Sequence, residues 1–495
     1  ATAVNSSVLE SVTPVTVISA DKLRKIEAPT LGETLKNTAG VHSTYFGPVS
    51  SSPIIRGNDG PRVKIVQNGL DVSDVSRVGP DHNVASSTAS ATQIEVLRGP
   101  ATLQYGSGAI GGVVNIVDKR IPQYHVDGVE GEAEVSYSTV NEGKYTRGDV
   151  TGGSGNIVWH LDGYYRDTEN ADIPGYASVD PDEDEEKGVL EDSQMETSNL
   201  VAGISYVADE GYFGFAVEQL DNEYGVPGHS HEHEEEHEEH EDEEGVSLDV
   251  DMTRYQAAGE WHSPMEGLTN IKFAGSYTDY EHTEIEDGEP ATVFSNESSD
   301  IRVSLYHEEV QGWHGVFGMQ FAHSDYAAEG EEAFTPANTS TNYAFYVVEQ
   351  KKVGDLTFEL GGRLENTAYD AQDSDVELDI FHEDEEEHEE DEHDEEDHDG
   401  EEHGTEFSFP EYDFTSLSLS AGVNWEYTDG QSVAVTLSRS ERAPSQQELF
   451  SAGQHLATES YEVGLVFDMD DEGHIEDELR DVNEEVSTNL DVTFR

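Results

Sequence analysis

The sequence has no cysteine. A disulfide framework and a thiolate metal site are therefore excluded, and any bound metal must be held by imidazole or carboxylate. Long apolar runs are missing too: nowhere do roughly 18 apolar residues follow one another, the length a membrane-crossing helix needs. The opening residues ATAVNSSVLE lack the basic and apolar regions of an export signal, so any such signal is expected to have been removed. Positive charge is scarce, with 25 Lys and Arg against 107 Asp and Glu and a net charge of -82 over 495 residues. Such a field repels polyanions and gathers cations, which argues against nucleic acid as a partner.

The acid is concentrated. The run GHSHEHEEEHEEHEDEEG, Gly228 to Gly245, carries His229, His231, His233, His237 and His240. A second run from Phe381 to Gly404 carries His382, His388, His393, His398 and His403. Solubility calls for acid, but it does not call for a histidine every few residues; neutral imidazole binds zinc, copper and nickel. The two runs together read as metal-capturing loops, with exchanging sites of modest affinity. For any one of these histidines a solvated, self-repelling loop remains an equal alternative.

Between the acidic runs the pattern has period 2 from about Gly131 onward. Ile157, Trp159, Leu161 and Tyr165 alternate with His160, Asp162, Tyr164 and Arg166, and Leu417, Leu419, Ala421, Val423 and Trp425 alternate with Ser418, Ser420, Gly422 and Asn424. These are strands with one apolar and one polar face. Short turns (near Asp209, Ser263, Lys351 and Thr428) alternate with long acidic loops, the arrangement of an outer-membrane barrel. The pattern predicts a mainly β protein, a transmembrane antiparallel β-barrel with both His-acid runs on its outward side. No hydrolytic constellation is present, and GSGAIGG leads into a strand-like VVNIV rather than a helix, so neither an enzyme nor a nucleotide site is expected.

Residues up to about Ile121 mix short apolar runs with many glycines. Two blocks, PIIRGNDGPRVKIVQNGLDVSDVS (Pro53 to Ser76) and IEVLRGPATLQYGSGAIGGVVNIVDK (Ile94 to Lys119), resemble the plug signature of TonB-dependent outer-membrane receptors. The resemblance covers the chain as an N-terminal α/β plug, residues 1–122, in the lumen of a barrel, residues 123–495. It implies a location in the outer membrane of a Gram-negative bacterium, outer-membrane lipid around the wall, the TonB complex at the periplasmic face, and a monomer. It also implies a barrel of about 22 strands; roughly fourteen can be laid out here, so C-terminal truncation is expected.

Within that family the chain is similar to the zinc-uptake branch, with zinc as the transported ligand. SRVGPDHNVASSTASATQIEVLRG places Asp81 and His82 where the branch has plug ligands. YGVPGHSHEHE from Tyr224, LGETLKNTAGVHSTYFGP from Leu31 and SERAPSQQELFSAGQHLAT from Ser440 reinforce the match. The resemblance implies His455 as the barrel histidine and a further ligand from YEHTEIEDG, with Glu284 chosen ahead of His282. His42 is a candidate transit ligand. Two alternatives stay open: a receptor of the same family for haem, a siderophore, copper or nickel, since SERAPSQQELF also resembles haem receptors, and a surface metal-buffering protein without transport.

Overall fold

The computed structural model describes residues 11–73, 82–98, 103–106, 109–179, 185–228, 245–286, 288–330, 333–376, 405–455, 460–470 and 475–495. Its largest element is a 14-stranded antiparallel sheet running from Gly128–Tyr137 to Glu485–Phe494, each strand paired with its neighbours along the chain. The expected number of strands is the number observed, because each short turn marks a reversal that the alternation on either side makes legible. Among the described residues no helix is long and apolar enough to cross a membrane, so strands alone provide the apolar outer surface.

Alternation divides every strand between two environments. Leu200, Phe215, Tyr255, Phe345 and Leu364 point outward and are exposed, while Thr197, Asn199, Gln256 and Arg363 point inward and are buried. A continuous apolar outside with a polar inside is what a sheet that faces lipid on one side and a plug on the other requires. Three strands, Ser247–Met265, Leu268–Glu286 and Glu289–His307, are 19 residues long, well beyond the ~9–11 residues that span a bilayer. Their long-loop ends therefore project from the membrane as a rigid wall.

The inward side encloses the plug. A mixed five-stranded sheet, with Val63–Gln67 parallel to Gly112–Val117 and the other pairs antiparallel, packs through Ile18, Ile65, Ile94, Val96, Val114 and Ile116 against helices Ala20–Ile26 and Leu31–Leu35, which bury Leu23, Leu31 and Leu35. The segment after GSGAIGG is indeed strand. At Gly111 a Cβ would lie 2.5 Å from that of Asn58 and 2.9 Å from the Arg62 carbonyl oxygen, so this crossing admits only glycine.

Polar contacts tie the plug to the wall on all sides. Arg120 pairs with Asp118 at 2.8 Å and with Glu218 of the wall at 2.6 Å. Arg56 meets Asp491 at 2.6 Å, Thr13 donates to Glu359 at 3.2 Å, and the Asp71 amide donates to Asp300 at 3.1 Å. These partners lie on four different wall strands, which is how a sheet wrapped around its plug must contact it.

Candidate metal centre

The strand Leu268–Glu286 carries YEHTEIE at its long-loop end. Period 2 turns Tyr280, His282 and Glu284 to the same inward face, where all three are buried, and leaves Glu281 exposed on the other. Cross-strand partners complete the wall around them: His282 faces Val250 on one side and Phe294 on the other, and Glu284 faces Leu248 and Thr292. The His282 ring stacks on Phe294 with centroids 4.5 Å apart at 14°. An imidazole held this way has little rotational freedom left to lose on binding.

The plug delivers the third group. Its loop after residue 81 enters a cluster formed by Val49 and Ala85 of the plug with Leu248, Val250, Phe294 and Tyr326 of the wall, and places His82 beside the wall pair. His82 Nε2 lies 3.1 Å from Glu284 Oε1, and its ring meets that of His282 edge-on at 5.0 Å. One ligand atom from each of His82, His282 and Glu284 falls within 4.8 Å of the others, and all three residues are buried. Among the described residues, neither ring nitrogen of His282 nor Oε2 of Glu284 makes a hydrogen bond. A buried polar atom left unsatisfied costs about 1–3 kcal/mol, so this arrangement is expensive unless a ligand completes it.

The donor set suits a cation. Two imidazole nitrogens and one carboxylate oxygen form the three-protein-ligand set of zinc sites that keep one position open. Ligand atoms ~2.0–2.2 Å from a tetrahedral ion sit ~3.3–3.6 Å apart; His82 and Glu284 are already that close, and the set, within 4.8 Å overall, draws together around the ion. A dication would also offset the cost of burying the Glu284 carboxylate.

His82 is held by more than this contact. The neighbouring Asn83 amide donates to the Tyr224 hydroxyl of the wall at 2.9 Å, and both residues are buried. Tyr224→Phe should therefore loosen the His82 loop and weaken metal binding by up to about tenfold, the worth of one buried hydrogen bond. Isothermal titration of both proteins with zinc checks this; equal affinities would mean that Tyr224 does not position the ligand.

Among the residues singled out from sequence, His82, Glu284 and His282 come together. The choice between Glu284 and His282 dissolves, since alternation sets both on one face. His42 is exposed on Val41–Ser43, opposite Ile54, and is not part of the group. His455 ends the strand Ala452–His455, paired with Ser460–Val463, but its side chain lies outside the described residues. Asp81 and the loop histidines His229, His231, His233, His237, His240, His382, His388, His393, His398 and His403 also lie outside them. Sequence reading missed Tyr224 and Phe294, whose only signal was their place on inward faces of neighbouring strands.

Two family descriptions match the chain: the TonB-dependent receptor plug domain over residues 7–113, and the TonB-dependent receptor-like β-barrel over residues 192–494. The chain belongs to the TonB-dependent receptors. They are receptors and transporters rather than enzymes, and the barrel places this one in the Gram-negative outer membrane. The receptor is similar to the vitamin B12 transporter BtuB of Photobacterium profundum, 28% identical over 226 residues, or 44% of this chain and 34% of that one. It thus matches about a third of that relative's length. Among solved structures it is similar to the copper transporter OprC, with a TM-score of 0.70 at 14% identity over 90% of this chain and 66% of that one. It is also similar to the Serratia marcescens hemophore receptor HasR, with a TM-score of 0.68 at 13% identity over 98% and 70%. At these identities the likeness is one of fold.

Proposed function

We propose that this receptor imports a divalent transition metal, zinc first, through a site shared by plug and wall. The observation that carries the reading is the buried group His82, His282 and Glu284, two ligands from the wall and one from the plug, set in an apolar cluster with His282 and Glu284 atoms unsatisfied among the described residues. The histidine-rich acidic runs raise the local cation concentration and feed it. Because one ligand belongs to the plug, displacement of the plug by the TonB complex pulls His82 out of the set and drops affinity at once. A packed cluster around three ligand atoms favours a single ion over haem or a siderophore, which would need a large opening with aromatic or basic contacts. A buffering protein would have no use for a ligand set split across a movable plug.

Glu284→Gln tests this through stability. Without metal, the amide removes a buried carboxylate, so the melting temperature should hold or rise. With zinc at about 100 times its Kd, the wild type should gain about 2.7 kcal/mol and the variant little. An equal zinc-induced shift in both proteins would rule out Glu284 as a ligand.

A further inference from the structure

On the long-loop side a cavity of about 290 Å³ lies between plug and wall, lined by Asp71 and Ser73 of the plug, by Gln446 and Gln447 at the start of helix Gln446–Phe450, and by inward residues of four wall strands. Strand register gives its place. Ser298 faces Ser324, Ser324 faces Ser340, and Ser340 faces Tyr369, one polar row across those four strands. Tyr369 stands near the long-loop end of Leu356–Ala371, so the row starts at the outer rim. At its inner end Asn296, which also lines the cavity, is the inward residue next to Phe294, the ring on which His282 stacks. The cavity therefore leads from the rim towards the metal group.

Its lining is rich in hydrogen-bond acceptors. Asp300 is buried and accepts from two neutral donors, the Asp71 amide at 3.1 Å and the Gln320 side chain at 2.9 Å, and a carboxylate has lone pairs for about four donors. Asn296 Oδ1 accepts from Ser324 at 2.6 Å. The Ser298 hydroxyl, on a residue only 6% exposed, makes no hydrogen bond among the described residues. A hydroxyl buried in that way is costly until a partner reaches it. Among the described residues no lysine or arginine lines the cavity. Lys64 pairs with Asp71 at 2.9 Å, and Arg302, the next inward residue after Asp300, lies 5.3 Å over the Tyr105 ring and lines a different cavity. The space thus offers acceptors rather than a strong field of either sign.

That chemistry suits one form of a metal. Water bound to a dication turns its hydrogens outward and needs acceptors around it. A water fills ~30 Å³ of liquid, so an ion with six waters takes roughly 200 Å³ and fits the 290 Å³ available. A chelate would instead bring carboxylates, whose strong partners are lysine and arginine. We propose that this cavity is an antechamber that holds the hydrated dication through its waters before the three-ligand group strips them, so that the receptor takes its metal as the free aqua ion and not as an anionic chelate. Asp300, Asn296 and Ser298 receive the hydrogens of the bound waters. The antechamber rests on the metal-import reading above, and its test is separable from it.

The experiment is rapid mixing of the intact receptor in detergent with zinc, followed by a zinc-responsive dye, for wild type, Ser298→Leu and Asp300→Asn. The phase to read is the one that His282→Ala removes. Ser298→Leu fills the space without breaking a hydrogen bond, and Asp300→Asn takes away the charge. Each should slow association by about tenfold, the scale on which a lined cleft alters entry rates, and dissociation should slow with it in Ser298→Leu, because a space on the path is crossed both ways. Hexaamminecobalt, whose ammine ligands do not exchange, should slow zinc entry in wild type and have less effect in Asp300→Asn. With citrate in excess, the rate should follow free zinc. A wild-type rate in Ser298→Leu, an equal hexaamminecobalt effect in Asp300→Asn, or a rate that follows total zinc in citrate each overturns the antechamber. If His282→Ala removes no phase, the import reading fails instead, whatever the other variants do.

Discussion

Replacing His282 by alanine should lower zinc affinity by at least about a hundredfold. Removing even an outer-shell partner of a metal ligand costs about 10–100-fold, and His282 offers the metal one of only three groups that the described structure brings together. The loss should appear in zinc titration of the protein in detergent, with the metal-free melting temperature as a control, because the variant also leaves space between Phe294 and His82. His82→Ala should cost a similar amount, and the double variant much less than the product of the two, since both remove the same site. Unchanged affinity in either single variant would show that the metal is held elsewhere, with the histidine-rich runs as the first place to look.

The second large effect concerns the seating of the plug. Arg120→Ala should destabilise the plug–wall junction by about 3–5 kcal/mol, the cost of leaving buried charges without their partner. Arg120 holds Glu218 through two bonds, at 2.6 and 3.1 Å, and both side chains are almost wholly buried. Asp118 would lose its guanidinium partner, and Glu218 would keep only the more distant Arg254 across the strand pair and the Asn199 bond. Faster proteolysis of the plug and a lower melting temperature are the readouts. Arg120→Met with Glu218→Leu should recover part of the loss, because it removes two of the three buried charges and leaves only Asp118, which still accepts from Gln67 and Asn68; a double variant as unstable as Arg120→Ala would show that packing, and not charge, seats the plug here.

The strands themselves were legible because lipid and plug impose opposite demands on alternate residues. Leu161, Leu417 and Leu419 could be assigned to one face and His160, Asp162 and Ser418 to the other from the alternation alone, and the outward members are the exposed ones. The two glycine-rich blocks carried the plug resemblance in the same way, since a position such as Gly111 leaves no room for a Cβ. The site was legible only in part. His282 and Glu284 share a face by period 2, so their pairing was present in YEHTEIEDG, yet the resemblance led to a choice between them.

What the sequence by itself determined is therefore the class of protein and the side of the wall each residue takes. Alternation is a local property, and the lack of cysteine leaves only imidazole and carboxylate as ligand types. What only the tertiary structure decided is which inward residues meet the plug. His82 and Glu284 are 202 positions apart, and nothing in the spacing of either segment encodes the rotation of the plug within the barrel. That rotation is set by the summed contacts of Arg120, Arg56, Thr13 and Asp71 with the wall. Long-range packing fixed the site, because a wall of period 2 offers many inward positions and the plug selects among them.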